Sequence, residues 1–141
     1  MAATISIEKI FSVPVEKVWS AWTEPARVMK WFGSDPNGNV LNAKLDVRPG
    51  GYFEITFNDA DETEHTCFGT YKDVQKLQHL TFSWMWKSEP DVESFITLSF
   101  LDKGKTSEMK FQHSNTGDDS KHVYLKGWRD TFSKLERMLT E

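Results

Sequence analysis

The 141 residues hold a single cysteine, Cys67, so no internal disulfide supports the fold, and the composition suits a reducing compartment. No stretch approaches the run of about 18 apolar residues that a membrane helix requires. The opening Met1-Ala2-Ala3-Thr4 leads directly into a strand-like pattern without an apolar leader, so a cytoplasmic location is expected. Basic residues are scattered and outnumbered, 17 Lys and Arg against 21 Asp and Glu, for a net charge of −4. That distribution speaks against a nucleic-acid surface. No G-x-S-x-G elbow, Walker loop or dinucleotide fingerprint occurs. Nor does any repeat, linker or low-complexity segment divide the chain, so residues 1–141 are expected to form one domain with a proper core. Apolar residues are also scarce, at 38%, yet aromatic residues make up 13%: 10 Phe, 6 Trp and 3 Tyr. The few apolar positions are therefore large rings, which either fill a core or line a cavity.

The most regular pattern is at the C-terminal end, Asp118 to Glu141. At about 100° per residue, Tyr124, Trp128, Thr131, Phe132, Leu135, Met138 and Leu139 share one face, and Lys126, Arg129, Asp130, Ser133, Lys134, Glu136 and Arg137 share the other. Asp118 or Asp119 suits the N-cap. Asp130 and Lys134 are spaced as an acid–base pair one turn apart. The reading is a long amphipathic helix lying across a sheet.

The sheet is legible as a change of period. Ile5 and Ile7 alternate with polar neighbours in a first strand, and the pattern stumbles at Ile10-Phe11, marking a bulge or an end. Pro14 suits the first position of a helix carrying Val15, Val18, Trp19 and Trp22 on one face. Thr23 reads as the N-cap of a second short helix from Pro25 through Trp31, closed by Gly33 in a left-handed cap. Then Leu41, Ala43, Leu45 and Val47 alternate with polar residues, as do Phe53, Ile55 and Phe57. Glu64–Val74 is apolar on both faces, so its register stays open. Leu80, Phe82, Trp84 and Trp86 share a face. A loop is expected around Ser88-Glu89-Pro90-Asp91, then a strand with Ile96, Leu98 and Phe100, and a last one with Met109, Phe111 and His113. Short connections favour antiparallel neighbours. The fold class is α+β: a curved antiparallel sheet of about seven strands, two short helices after the first strand and a long helix last.

Several residue groups invite a chemical reading. His65 and Cys67 alternate onto one strand face, but no second pair stands at ligand spacing, so no metal is expected. The acids Asp59, Asp61, Glu62 and Glu64 lack the glycine and distal Glu of a calcium loop and read as a solvated hairpin tip. Cys67 sits mid-strand without a cationic neighbour and reads as an inert thiol. Glu54 and Glu108 are the strand acids nearest ring positions, and alternation turns them away from Phe53 and Met109. His113 reads either as a partly exposed strand-end residue or as an anchor for a polar group of a ligand. The rings Trp31, Phe53, Phe82, Trp84, Phe111, Tyr124 and Trp128 either pack solidly or line a cavity, with Tyr124 and His113 the nearest polar groups to it.

Motifs in order carry a resemblance. Val13-Pro14, Val18-Trp19 with Ala21-Trp22, Thr23-Glu24-Pro25 and Trp31-Phe32-Gly33 resemble the opening of the heat-shock-protein-90 ATPase activator homologues. Arg48-Pro49-Gly50-Gly51, Gly69 with Tyr71, Leu80 with Trp84, and Gly127-Trp128 with Leu135 are similar to its later motifs. That family belongs to the START-like (SRPBCC, helix-grip) superfamily, which also holds birch-pollen allergens and polyketide cyclases. The resemblance implies a β-α-α-β6-α fold with a hydrophobic cavity between the sheet and the last helix. It implies a module that binds a small hydrophobic or aromatic ligand through Trp31, Phe53, Phe82, Trp84, Phe111, His113, Tyr124 and Trp128, without a cofactor. The alternatives it raises are a chaperone partner, an ATPase co-regulator acting in the stress response, and a cyclase-like enzyme.

Overall fold

A computed structural model describes residues 4–33, 35–114 and 124–140, apart from the side chains of Val92 and Tyr124. Strand β1 (Thr4–Phe11) is followed by helices α1 (Val15–Thr23) and α2 (Pro25–Val28). Six strands then run as a meander: β2 (Asn39–Leu45), β3 (Tyr52–Asn58), β4 (Glu64–Gln75), β5 (His79–Trp86), β6 (Glu89–Lys103) and β7 (Thr106–Ser114). Helix α3 (Tyr124–Leu139) comes last. All neighbours are antiparallel in the order β1-β7-β6-β5-β4-β3-β2, so the first strand lies beside the last. This is the α+β arrangement the alternation implied.

Alternation decides the inner face. Phe53, Ile55 and Phe57 of β3, Leu80, Phe82 and Trp84 of β5, and Met109, Phe111 and His113 of β7 are all buried. The open register of β4 resolves with Cys67, Gly69 and Tyr71 inward. Gly69 is there for want of space, since a Cβ would lie 2.0 Å from the Ser83 carbonyl oxygen. Trp128, Phe132, Leu135 and Leu139 of α3 are buried with these strands in one core, as the apolar stripe implied. Strand β1 runs in unbroken register with β7 to Phe11, so Ile10-Phe11 is a strand end, with Ile10 exposed on the outer face.

Local details depart from expectation. Leu41 is not inward: a register shift between Val40 and Asn42 makes it an extra residue, and it is 47% exposed. The loop expected at Ser88–Asp91 is only a turn at Lys87-Ser88, and β6 starts at Glu89. Among the described residues β6 is paired with β7 from Phe95 onward, and Pro90 lies before that stretch. Pro14 is the N-cap of α1 rather than its first residue. Thr23 does not cap α2, because its hydroxyl donates back to the Trp19 carbonyl at 2.9 Å and Glu24 holds the cap position. Helix α2 stops at Val28, and one tight turn carries the chain on to Phe32. Gly33 does end it with φ +103°. The proposed caps Asp118 and Asp119 lie outside the described residues.

Candidate functional site

The two short helices form a plug over one half of the sheet. Trp22 leaves α1 on its buried face, and Trp31 packs edge-on against it with centroids 4.8 Å apart. The Trp31 indole N–H donates to the Ala21 carbonyl at 2.9 Å, which pins the turn after α2 to the end of α1. Phe32 follows, packed between Trp31, Phe57 and Trp84. Beneath this plug lies a void of ≈ 20 Å³, bounded by Trp22, Val28, Trp31, Phe32, Leu45, Phe53, Ile55, Tyr71, Leu80, Phe82 and Trp84. That is room for about one water, whereas a cavity of about 150 Å³ is known to take benzene.

This void lies beside the region between the sheet and the last helix where the resemblance implied a cavity. Its walls come from α1, α2 with its following turn, and β2 to β5. Among the described residues, none comes from the last helix. Of the expected ligand residues, Trp31, Phe53, Phe82 and Trp84 are brought together around it. Phe111 and Trp128 are packed under α3 instead, against each other at 4.8 Å and against Phe132 at 5.0 and 5.5 Å. The Tyr124 side chain lies outside the described residues. Trp22, Val28, Phe32, Leu45, Ile55, Tyr71 and Leu80 also bound it and were not among the expected ligand residues. Leu45 and Tyr71 were within reach of the sequence, since they lie on the same sheet face as Phe53. Trp22 was assigned to a helix face with no indication of what that face met.

His113 is fully buried, not a half-exposed strand end. An indole N–H can only donate, so the bond from Trp128 Nε1 to His113 Nδ1, 3.0 Å, makes Nδ1 the acceptor and leaves the proton on Nε2. That N–H donates to Ser94 Oγ at 2.7 Å, and the Ser94 hydroxyl donates on to the Trp84 carbonyl at 2.9 Å. Burial holds the imidazole neutral, its pKa lowered from 6.5 to about 3. Both ring nitrogens therefore join helix to sheet, and neither is left to orient a ligand.

Two indoles in the wall of the void contrast with this. Trp22 Nε1 and Trp84 Nε1 are buried and have no hydrogen-bond partner among the described residues. Each such group costs about 1–3 kcal/mol.

Other candidates are placed as follows. Cys67 is fully buried and contacts the Ile55 carbonyl, and burial raises its thiol pKa well above the ordinary value. His65 Nε2 lies 2.9 Å from Asp59 Oδ2. No group of three His, Cys, Asp or Glu side chains fit for a metal occurs among the described residues. Glu54 is on the outer face, where the Tyr52 hydroxyl donates to it and lowers its pKa, with Lys87 at 3.4 Å. Glu108 pairs with Lys103. Lys134 departs from its expected outer position. Its ammonium donates to the Asp35 carbonyl at 2.9 Å and the Phe32 carbonyl at 3.4 Å. Asp130 bonds Lys126 instead.

Residues 12–140 match the family model described as activator of Hsp90 ATPase homolog 1-like protein. No functionally curated protein matches the sequence. Among solved structures, the chain is similar to an activator-homologue protein of Silicibacter pomeroyi, with 21% identity, 98% of each chain covered and a TM-score of 0.85. It is similar to CalU16 of Micromonospora echinospora, with 26% identity, 99% of this chain and 77% of that one covered and a TM-score of 0.75. An activator-homologue-like protein of Aeromonas hydrophila matches at 18% identity over 98% and 92%, with a TM-score of 0.78. No helix among the described residues is long and apolar enough to cross a membrane.

Proposed function

The chain belongs to the family of activator of Hsp90 ATPase homolog 1-like proteins, and we propose that it is a START-like module, one domain acting in the cytoplasm, that reversibly binds a small hydrophobic or aromatic molecule. The observation that carries this reading is the void whose walls are almost wholly apolar rings and aliphatic side chains. The site is the space between the short helices and β2 to β5. At ≈ 20 Å³ it is too small for such a molecule in this form, so binding requires the wall to move outward. The wall segment we take to move is α2 and its turn, which supplies Val28, Trp31 and Phe32.

Magnitudes set the expected affinity. Removing about 300 Å² of apolar surface from water yields roughly 7 kcal/mol at about 25 cal/mol per Å². Association costs at least about 4 kcal/mol, and opening the plug takes more. Dissociation constants from about millimolar to micromolar follow. The test is an NMR titration with fatty acids, flavonoid-like rings and small aryl compounds. Perturbation of amides around Trp22, Trp31 and Trp84 is expected at sub-millimolar ligand. If no compound moves them, the reading fails.

A second reading is a chaperone co-regulator, and the family's description supports it. The outer face of the sheet offers Tyr52, 46% exposed, with its ring 6.4 Å from Phe68. Stimulation of a purified Hsp90 ATPase, abolished by Tyr52→Ala, would favour this reading. An unchanged rate would set it aside.

A further inference from the structure

The walls of the void differ from an ordinary apolar core in the sign of their unpaired polar groups. Four of the bounding side chains carry a nitrogen or oxygen: Trp22, Trp31, Tyr71 and Trp84. The Trp31 N–H is taken by Ala21. The N–H groups of Trp22 and Trp84 are buried without a partner among the described residues. Their nearest ring neighbours, Trp31 beside Trp22 and Trp128 beside Trp84, stand edge-on, and an aromatic face is only a second-order acceptor. Two donors carried by these walls therefore lack an acceptor among the described residues.

Three candidate occupants can be compared. A water would accept from an indole but bring two donors of its own, and among the described residues the only bounding side-chain oxygen is Tyr71 Oη. A carboxylate would accept well, but among the described residues no Lys, Arg or His bounds the void, so its charge would be buried without a described counter-ion. A neutral carbonyl accepts through two lone pairs, brings no donor, and carries an apolar body for the rings.

Resting on the binding reading above, we propose that the ligand is a neutral apolar carbonyl compound of the aryl ketone kind. Its oxygen accepts from the indole N–H of at least one of Trp22 and Trp84. No bond is made or broken, and the molecule leaves unchanged.

Three probes of nearly one shape separate the possibilities: acetophenone, α-methylstyrene, which replaces C=O by C=CH2, and benzoate. Each is titrated into the ¹⁵N-labelled protein while the indole N–H signals are followed. Acetophenone is expected to move the Trp22 or Trp84 N–H signal downfield and to bind about tenfold tighter than α-methylstyrene, the usual reach of one or two hydrogen bonds. Benzoate should bind more weakly than either. In Trp22→Phe, Trp84→Phe or the double variant the preference for acetophenone should disappear while α-methylstyrene still binds. The wild-type shifts test the assignment even where a variant fails to fold. Equal affinities for acetophenone and α-methylstyrene, with both indole signals still, would overturn this inference and leave the binding reading standing. Failure of both to bind removes the binding reading itself.

Discussion

His113 joins three strands to the last helix through Trp128, Ser94 and the Trp84 carbonyl, and this gives one residue a measurable pH signature. Its folded pKa, about 3, lies below the ordinary 6.5. Below pH 6.5 the unfolded chain takes up a proton that the folded chain refuses, so stability is full above that pH and falls as pH drops toward 3. The slope is about 1.4 kcal/mol per pH unit from this residue alone. Denaturant midpoints of wild type and His113→Gln, measured from pH 7 to 4, should converge as the pH falls. Parallel curves would mean that the imidazole is not held neutral. Sequence left His113 open because its strand position says which way it points and not what lies above it. The indole that fixes its tautomer comes from α3.

At the scale of elements, α3 is more than a lid with one apolar face. Phe132→Ala, in the centre of its buried stripe, should cost about 3–5 kcal/mol. Lys134 is on the face a helical projection marks as polar, yet it holds the Phe32 and Asp35 carbonyls, 102 and 99 residues away. Its pKa is lowered, mainly by burial. Lys134→Ala should cost about 1–2 kcal/mol, whereas Lys126→Ala, which breaks only an exposed pair with Asp130, should cost under about 1 kcal/mol. Urea midpoints compare the three, and equal values for the two lysines would refute the tie. Gly69→Ala should cost more than about 4 kcal/mol or prevent folding, because its methyl group would meet the backbone at Ser83. The elements themselves were largely legible: β3 and β7 are buried on one face only, and that imposes a period of two. Leu41 was not, since a bulge is set by pairing across strands. The partner of Lys134 was not either, because periodicity is blind to a loop that arrives from the other end of the chain.

For the whole molecule, the position of the void matters most. The family resemblance implied space beneath α3; among the described residues Trp128, Phe132 and Phe111 pack together there, and a gap opens under the short helices. No local pattern could distinguish the two, because rings of equal size line both halves. The segment over the void, around Phe32, is held to α3 by Lys134. If entry requires that segment to lift, loss of the tie should speed association. Stopped-flow Trp fluorescence with acetophenone is expected to show about fivefold faster binding to Lys134→Ala, the equivalent of one net hydrogen bond. An unchanged rate would place the entrance elsewhere.

The pairing of β1 with β7 has a consequence in time. A ribosome delivers β1 first, but every one of its sheet partners lies in the last strand, and the Ser107 hydroxyl that holds the carbonyl of Val13 is 94 residues further on. At about 5–20 residues per second, the first strand waits several seconds with its backbone unpaired while the meander from β2 onward assembles beside it. Until that late closure the nascent chain exposes two loose sheet edges, and it is then, rather than in the finished fold, that it is most open to a chaperone or to its own neighbours.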